Sequence, residues 1–458
     1  MTDRLLSGDS RLDLILGGGL PGNAIHLIAG PPGSGKTILA EQYAFANATA
    51  ERPAVYLSTV SEPLDKLVRF SQSLEFFDLA SVGQRVFYED LGEDLEQGGL
   101  PRTLERLRAL LRERHPGILI IDSFKALAAY AATHREFRGF LYELATATSA
   151  VVGSSFWLGE YPLDSISGEP ESAVADSILG LGSRRSGERS SRVLEVLKLR
   201  GSNYLSGRHS YRISAAGLSA FPRLADTVDQ SDYDLGADRV STGIEALDEM
   251  LADGYWPGSS TLCAGPSGIG KTLMGLHFIV AGAAAGEHGI VASLQENPTQ
   301  LARVARSFGW TLGDAVTMMY RSPVDLYVDE WIYELLDAVE RLGAKRILVD
   351  SLTDVLFASG DEVRFREYMY SLIQRCSRAG VSVFMTSELP DLFTVTRLSE
   401  FGVSHLSDNV LVLQYLRDEH TIGRAVTALK TRASRNEPRV REFRIGPQGI
   451  VIDRPPAP

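Results

Sequence analysis

Two tandem α/β domains, each a mainly parallel sheet flanked by helices, are predicted by this chain of 458 residues. Three observations predict them. The chain repeats itself once, strand-like and helix-like segments alternate within each copy, and each copy carries a complete phosphate-binding loop near its start. Domains run to roughly 100–200 residues, so the length alone suggests two large ones. A hydrophobic fraction of 44% with mixed charges supplies each with a sizeable core.

The repeat is visible residue by residue. Ser7-Gly8-Asp9-Ser10-Arg11-Leu12-Asp13 recurs as Thr242-Gly243-Ile244-Glu245-Ala246-Leu247-Asp248. The same displacement carries Gly30 to Gly265 and Lys36 to Lys271. Later, Leu197-Lys198-Leu199-Arg200 returns as Leu429-Lys430-Thr431-Arg432. So long a period means a duplicated domain and not a solenoid. The division expected is a first domain over 1–220, a linker over 221–240 and a second domain over 241–458. The stretch from Phe221 to Val240 is polar, acidic and without apolar periodicity, as a linker is.

The elements follow in order. Residues 24–29 form an apolar strand ending in a Gly-rich loop, and 38–48 the helix after it. Residues 55–58 read as a short strand. Residues 102–114 set Leu104, Leu107 and Leu111 on one helical face. Residues 117–121 are a continuous apolar run, as in a strand buried on both faces. The second copy answers with a helix over 331–342 and a strand over 346–349.

The chemistry sits at the loops. Residues 30–37 read GPPGSGKT and residues 265–272 read GPSGIGKT, both full matches to G-x4-G-K-[ST]. In this pattern backbone N–H groups, here of Gly33, Ser34 and Gly35 and of Gly268, Ile269 and Gly270, cradle phosphates at a helix N-terminus. Lys36 and Lys271 are expected to reach the β- and γ-phosphates, and Thr37 and Thr272 to hold Mg²⁺. Asp122 and Asp350 each end an apolar strand and are the expected carboxylates beside the metal. ATP and Mg²⁺ are the cofactors implied.

Composition narrows the setting. A net charge of −12 argues against broad duplex binding, which rests on phosphate neutralisation. Cys263 and Cys376 are the only cysteines, too few for a disulfide framework, so a cytoplasmic location is expected. The start of the chain has no signal-peptide pattern, and no run of roughly 18 apolar residues offers a membrane span. The arginine-rich stretch with Arg184, Arg185, Arg189 and Arg192 reads as a hairpin tip, not a DNA site.

The paired loops, residues 305–310 (ARSFGW), residues 407–410 (SDNV) and the two Lys-x-Arg strands resemble the KaiC family of bacterial clock ATPases. That family lies in the RecA-like superfamily with RadA and DnaB. The resemblance runs from residue 1 to about residue 452 and implies two tandem RecA-like P-loop NTPase domains. The family carries a Glu-Glu pair after the strand that follows the P-loop helix. In the second domain Gln295 takes its first position and Glu296 its second, so the resemblance makes Glu296 the acid that orients water, with Lys271 and Lys36 also catalytic. In the first domain both positions lack a carboxylate, and Glu62 lies one residue late. Hydrolysis is therefore expected mainly in the second domain. Lys198, Arg200, Lys430 and Arg432 match family positions that reach a neighbouring subunit's nucleotide. This implies a homo-oligomer, a ring of six, with ATP between subunits.

Departures from the clock protein are equally specific. Ser404 matches one of its two phosphorylated positions, but His405 takes the other and Gln295 replaces the kinase base. An amide cannot accept a hydroxyl proton as a carboxylate does, which argues against autophosphorylation. His405 itself reads as a polar residue at a subunit edge. The activator-binding extension of the clock protein has no counterpart before Pro458, so any regulatory protein partner is unidentified. Two competing readings remain at this level, a DNA-associated motor like RadA or DnaB and an ATP-dependent assembly scaffold. The acidic charge and the lack of a Cys-x2-Cys pair lower the first.

Overall fold

The computed structural model describes residues 4–59, 64–186, 189–224, 238–392, 403–417, 420–434 and 439–453. The chain divides into two compact units, breaking between Arg223 and Leu224. Most of the expected linker, residues 225–237, lies outside the described residues.

The first unit is built on a nine-stranded sheet. Its strands are β1 (Ile25–Ala29), β2 (Ala54–Ser58), β3 (Val86–Asp90), β4 (Ile118–Asp122), β5 (Ser154–Gly159), β6 (Ser177–Ser186), β7 (Arg189–Leu199), β8 (Arg208–Ser214) and β9 (Gly217–Phe221). Across the sheet they run β3-β2-β4-β5-β1-β6-β7-β8-β9. The strands from β3 to β6 are parallel, and β7, β8 and β9 return as an antiparallel meander. Helix α1 (Lys36–Asn47) follows the first P-loop, and α2 (Leu64–Ser71) leads from β2 towards β3.

The second unit repeats this order. Its strands are β10 (Ser260–Gly265), β11 (Gly289–Ser293), β12 (Val316–Tyr320), β13 (Arg346–Asp350), β14 (Ser382–Glu388), β15 (Asn409–Arg417), β16 (Ile422–Thr431), β17 (Arg441–Gly446) and β18 (Gly449–Ile452). They lie in the order β12-β11-β13-β14-β10-β15-β16-β17-β18. Helices α3 (Lys271–Ala284) and α4 (Pro298–Ser307) stand where α1 and α2 do. The repeat extends to single hydrogen bonds: Asp13 Oδ1 accepts from Ser7 N at 2.8 Å, and Asp248 Oδ1 from Thr242 N at 2.7 Å.

Alternation explains why the central strands are apolar throughout. On β1, Ile28 packs with Leu39 and Tyr43 of α1, whereas Leu27 and Ala29 pack on the other face with Leu107 and Leu144. A sheet covered on both sides leaves little place for polar residues. One expected element differs in extent. The helix of residues 102–114 belongs to a segment beginning at Gly92, broken where Gly99 takes φ 59°. Pro101, which lacks an N–H, then sits at the start of the continuing helix, where that group would be unpaired anyway.

Two buried histidines link stability to pH. His26 lies inside the first unit, its Nδ1 2.7 Å from Ser177 Oγ. His277 Nε2 accepts from Ile450 N at 2.9 Å, the task that Gln42 performs for Leu218 N in the first unit. Burial pushes both imidazoles down to about 4. The unfolded chain then binds more protons than the native one between about pH 6.5 and 4, so stability falls as pH drops through that window. The expected loss is on the order of 3 kcal/mol per histidine. Thermal melts from pH 7 to 4.5 check this: His277→Gln should be less acid-sensitive than the parent, and an equal slope would refute it.

Candidate functional site

Both P-loops leave a strand and enter a helix at the carboxyl edge of the parallel strands. Gly35 and Gly270 cap α1 and α3 in the left-handed region, at φ 91° and 117°. A side chain at Gly35 would also strike Ile213. The loop backbone is thus free to turn its N–H groups inward. Side chains from strands on one side of the P-loop strand brace it. Tyr211 donates to Ser34 O at 2.6 Å and Arg192 to Gly33 O at 2.7 Å, and in the second unit Tyr415 donates to Ser267 O at 3.3 Å. Arg192 thus stands in the same hairpin as Arg184 and Arg185, opposite Ser183, and from there also reaches the P-loop.

The predicted residues converge. Thr37 Oγ1 donates to Asp122 Oδ2 at 2.8 Å, and Thr272 Oγ1 to Asp350 Oδ2 at 2.7 Å. Lys36 Nζ donates to Gly30 O and Pro31 O, and Lys271 Nζ to Gly265 O and Pro266 O, all at 2.9–3.0 Å. Burial lowers both lysine pKa values; Glu160 in one unit and Glu388 in the other oppose the shift. These acids follow or end the strand beside the P-loop strand, and register alone would have marked them. The aspartates have different second partners, Tyr56 at 2.6 Å from Asp122 and Thr386 beside Asp350. Ser34 Oγ is buried in the cradle without a hydrogen-bond partner among the described residues.

In the second unit the two acid positions differ in setting. Gln295 is exposed and donates to Asp354 Oδ2 at 2.9 Å. Glu296 is half-buried, and its Oε2 has no hydrogen-bond partner among the described residues. Burial, and then the charge of Asp350, raise its pKa. Glu62 lies outside the described residues.

The Lys-x-Arg pairs are held alike in both units. A β-bulge opposite Ile178 and Leu179, and again opposite Val410 and Leu411, shifts the register at each lysine. Such bulges re-aim side chains. Lys198 Nζ donates to Ser172 O at 2.9 Å and Ala175 O at 2.6 Å; Lys430 Nζ donates to Ser404 O at 3.1 Å and Ser407 O at 2.7 Å. Arg200 pairs with Asp176 at 3.3 Å and Arg432 with Asp408 at 3.5 Å, each with more than half its side chain exposed. Within one chain each lysine is tied to two backbone carbonyls, while the arginines are the more exposed of each pair. His405 is exposed, and its carbonyl accepts from Arg432.

Two phosphate cradles, each with a lysine, a Thr–Asp pair and a mainly parallel sheet behind it, define a tandem P-loop ATPase. A family model described as the KaiC ATPase matches residues 7–225 and again 240–457, and the chain belongs to that family. The circadian clock oscillator protein KaiC of Picosynechococcus sp. (strain ATCC 27264 / PCC 7002 / PR-6) is 26% identical over 96% of this chain and 88% of its own length. The circadian clock protein KaiC3 of Synechocystis sp. (strain ATCC 27184 / PCC 6803 / Kazusa) is 26% identical over 99% of this chain and 92% of its own. The KaiC of Synechococcus elongatus (strain ATCC 33912 / PCC 7942 / FACHB-805) is 26% identical over 96% and 87%. Among the described residues no helix is long and apolar enough to cross a membrane.

Proposed function

We propose that this KaiC-family ATPase is a cytoplasmic regulatory ring of identical subunits whose second domain performs most of the hydrolysis. The observation that carries the division of labour is Glu296, a half-buried acid with an unpartnered oxygen beside Asp350. Each domain (1–220 and 241–458, joined by 221–240) would bind ATP. Lys36 and Lys271 would leave their carbonyls for the phosphates. Mg²⁺ fits the donor set of each site, one hydroxyl and one carboxylate, because this ion takes few protein oxygens and keeps water. Thr37 with Asp122, and Thr272 with Asp350, would hold it; bound there, it neutralises charge on the phosphoryl oxygens. Lys198 and Lys430 would fix the strand ends from which Arg200 and Arg432 reach the next subunit's nucleotide. Head-to-tail contacts of this kind close into rings, of six by analogy with the family. Ser404 is the position for a phosphate; Gln295 argues that this chain does not place it there itself. The regulatory partner is a protein of unknown identity.

Nucleotide bound between subunits favours the assembled state by mass action. ATP with Mg²⁺ is therefore expected to promote the ring, and Lys36→Ala to weaken it. Light scattering at micromolar protein checks this. A monomer at saturating ATP would remove the argument for a site shared between subunits.

A further inference from the structure

The first-domain pocket contains an acid that neither the P-loop motif nor the hydrolytic reading uses. Glu41 lies on α1, one turn beyond Thr37, and is 2% exposed. Its two oxygens each accept a hydrogen bond, Oε2 from Ser71 of α2 at 2.7 Å and Oε1 from Tyr88 of β3 at 2.9 Å. Tyr88 pairs across the sheet with Tyr56, their rings 5.4 Å apart, and Tyr56 donates to Asp122. Helix α2 walls a cleft of about 530 Å³ beside the P-loop, lined by Gly33, Lys36, Thr37 and Glu41 on one side and by Phe70 and Ser71 on the other.

At the corresponding positions among the described residues, the second domain has no such cluster. The displacement that relates the P-loops puts Leu276 where Glu41 stands, and Leu276 is fully buried in an apolar core. The strand register puts Val291 opposite Met318 where the first domain has Tyr56 opposite Tyr88. A buried carboxylate is costly unless its oxygens are paired. Here it replaces apolar residues that would pack without cost, so stability alone does not account for it.

We infer that Glu41 is a positioning residue of the first nucleotide site, pinning α2 and β3 to the P-loop helix so that the wall of the cleft is held for the nucleotide. It acts through Ser71 and Tyr88 and does not touch phosphate. The inference rests on the first P-loop holding nucleotide. Both neighbours donate to Glu41, so the pinned form is the carboxylate. The titratable groups around it are Tyr88 on β3, Tyr56 on β2 and Asp122 on β4. Burial, with the two donors opposing it and Asp122 adding to it, brings the carboxyl up to about 7. Pinning therefore strengthens as pH rises through neutrality.

The test measures binding of a fluorescent, non-hydrolysable ATP analogue with Mg²⁺ from pH 6 to 8, in full-length chain whose second P-loop is silenced by Lys271→Ala. In that parent the affinity is expected to rise several-fold from pH 6 to 8. Glu41→Gln and Glu41→Leu should each bind about tenfold more weakly at pH 8 and show no rise. Glu41→Gln keeps the shape and decides the matter if Glu41→Leu fails to fold. Variants that bind as tightly as the parent with the same pH profile overturn the inference. So does lowered thermal stability with binding and pH profile unchanged, because that marks a packing role only. Lys36→Ala on the same background separates the two readings: if it binds like its parent, the first P-loop does not hold the nucleotide and the inference falls with that reading.

Discussion

Replacing Glu296 with glutamine is expected to slow phosphate release by about 10²–10⁴-fold and to leave ATP binding and assembly nearly intact. In the proposed reading the P-loop, its lysine and the Thr272–Asp350 pair would hold the nucleotide, and none of them depends on Glu296. Hydrolysis needs one thing more, a group that orients water and accepts its proton. Glu296 is suited to that. Its Oε2 is sheltered and has no partner among the described residues, and burial next to Asp350 raises its proton affinity. Glutamine preserves the volume but cannot take the proton. Phosphate release, measured beside nucleotide binding on the same samples, tests the assignment. Glu62→Gln should change turnover little. If that variant stops hydrolysis while Glu296→Gln does not, the roles of the two domains reverse.

Removing the guanidinium of Arg432 should be at least as damaging, because a cation supplied in trans to the γ-phosphoryl group is worth about 10³–10⁵ in turnover. The geometry singles out the arginine over the neighbouring lysine. Lys430 spends its ammonium on two backbone carbonyls, whereas Arg432 is 56% exposed and makes one bond to His405 O at 3.0 Å beside its 3.5 Å pairing with Asp408. Arg432→Ala is therefore expected to lower turnover by about 10³-fold with nucleotide binding preserved. Mixing gives the decisive measurement. Chains carrying Lys271→Ala and chains carrying Arg432→Ala are each inactive alone, yet together they build interfaces that join an intact P-loop to an intact arginine. Recovered phosphate release in the mixture supports a shared site. No recovery, with mixed assembly verified by mass, would mean that Arg432 serves its own chain.

The nucleotide chemistry was legible in the sequence because it is local. A P-loop needs glycines, a lysine and a threonine within eight positions, and each neighbouring aspartate announces itself at the end of an apolar strand. Duplication made the reading firmer, since Gly30 and Gly265, or Lys198 and Lys430, vouch for each other. Boundaries were less exact: the helix of residues 102–114 begins at Gly92, across a break at Gly99 that no apolar period reveals.

What the sequence by itself determined is the duplication, the α/β alternation and the two phosphate cradles with their lysines and Thr–Asp pairs. These are carried by spacing along the chain, and spacing survives without a fold. What only the tertiary structure decided is which distant side chains serve those cradles. Arg192 lies in the hairpin the sequence suggested, and its guanidinium also reaches the P-loop because β7 returns antiparallel beside the parallel strands. A bulge that leaves no mark in the residue pattern turns Lys198 and Lys430 onto backbone carbonyls of their own chain. Glu41 carries no mark in the chain's spacing. It became a buried carboxylate only when α2 brought Ser71 and β3 brought Tyr88 to it, and contacts between separate elements are made by packing, which spacing along the chain does not encode.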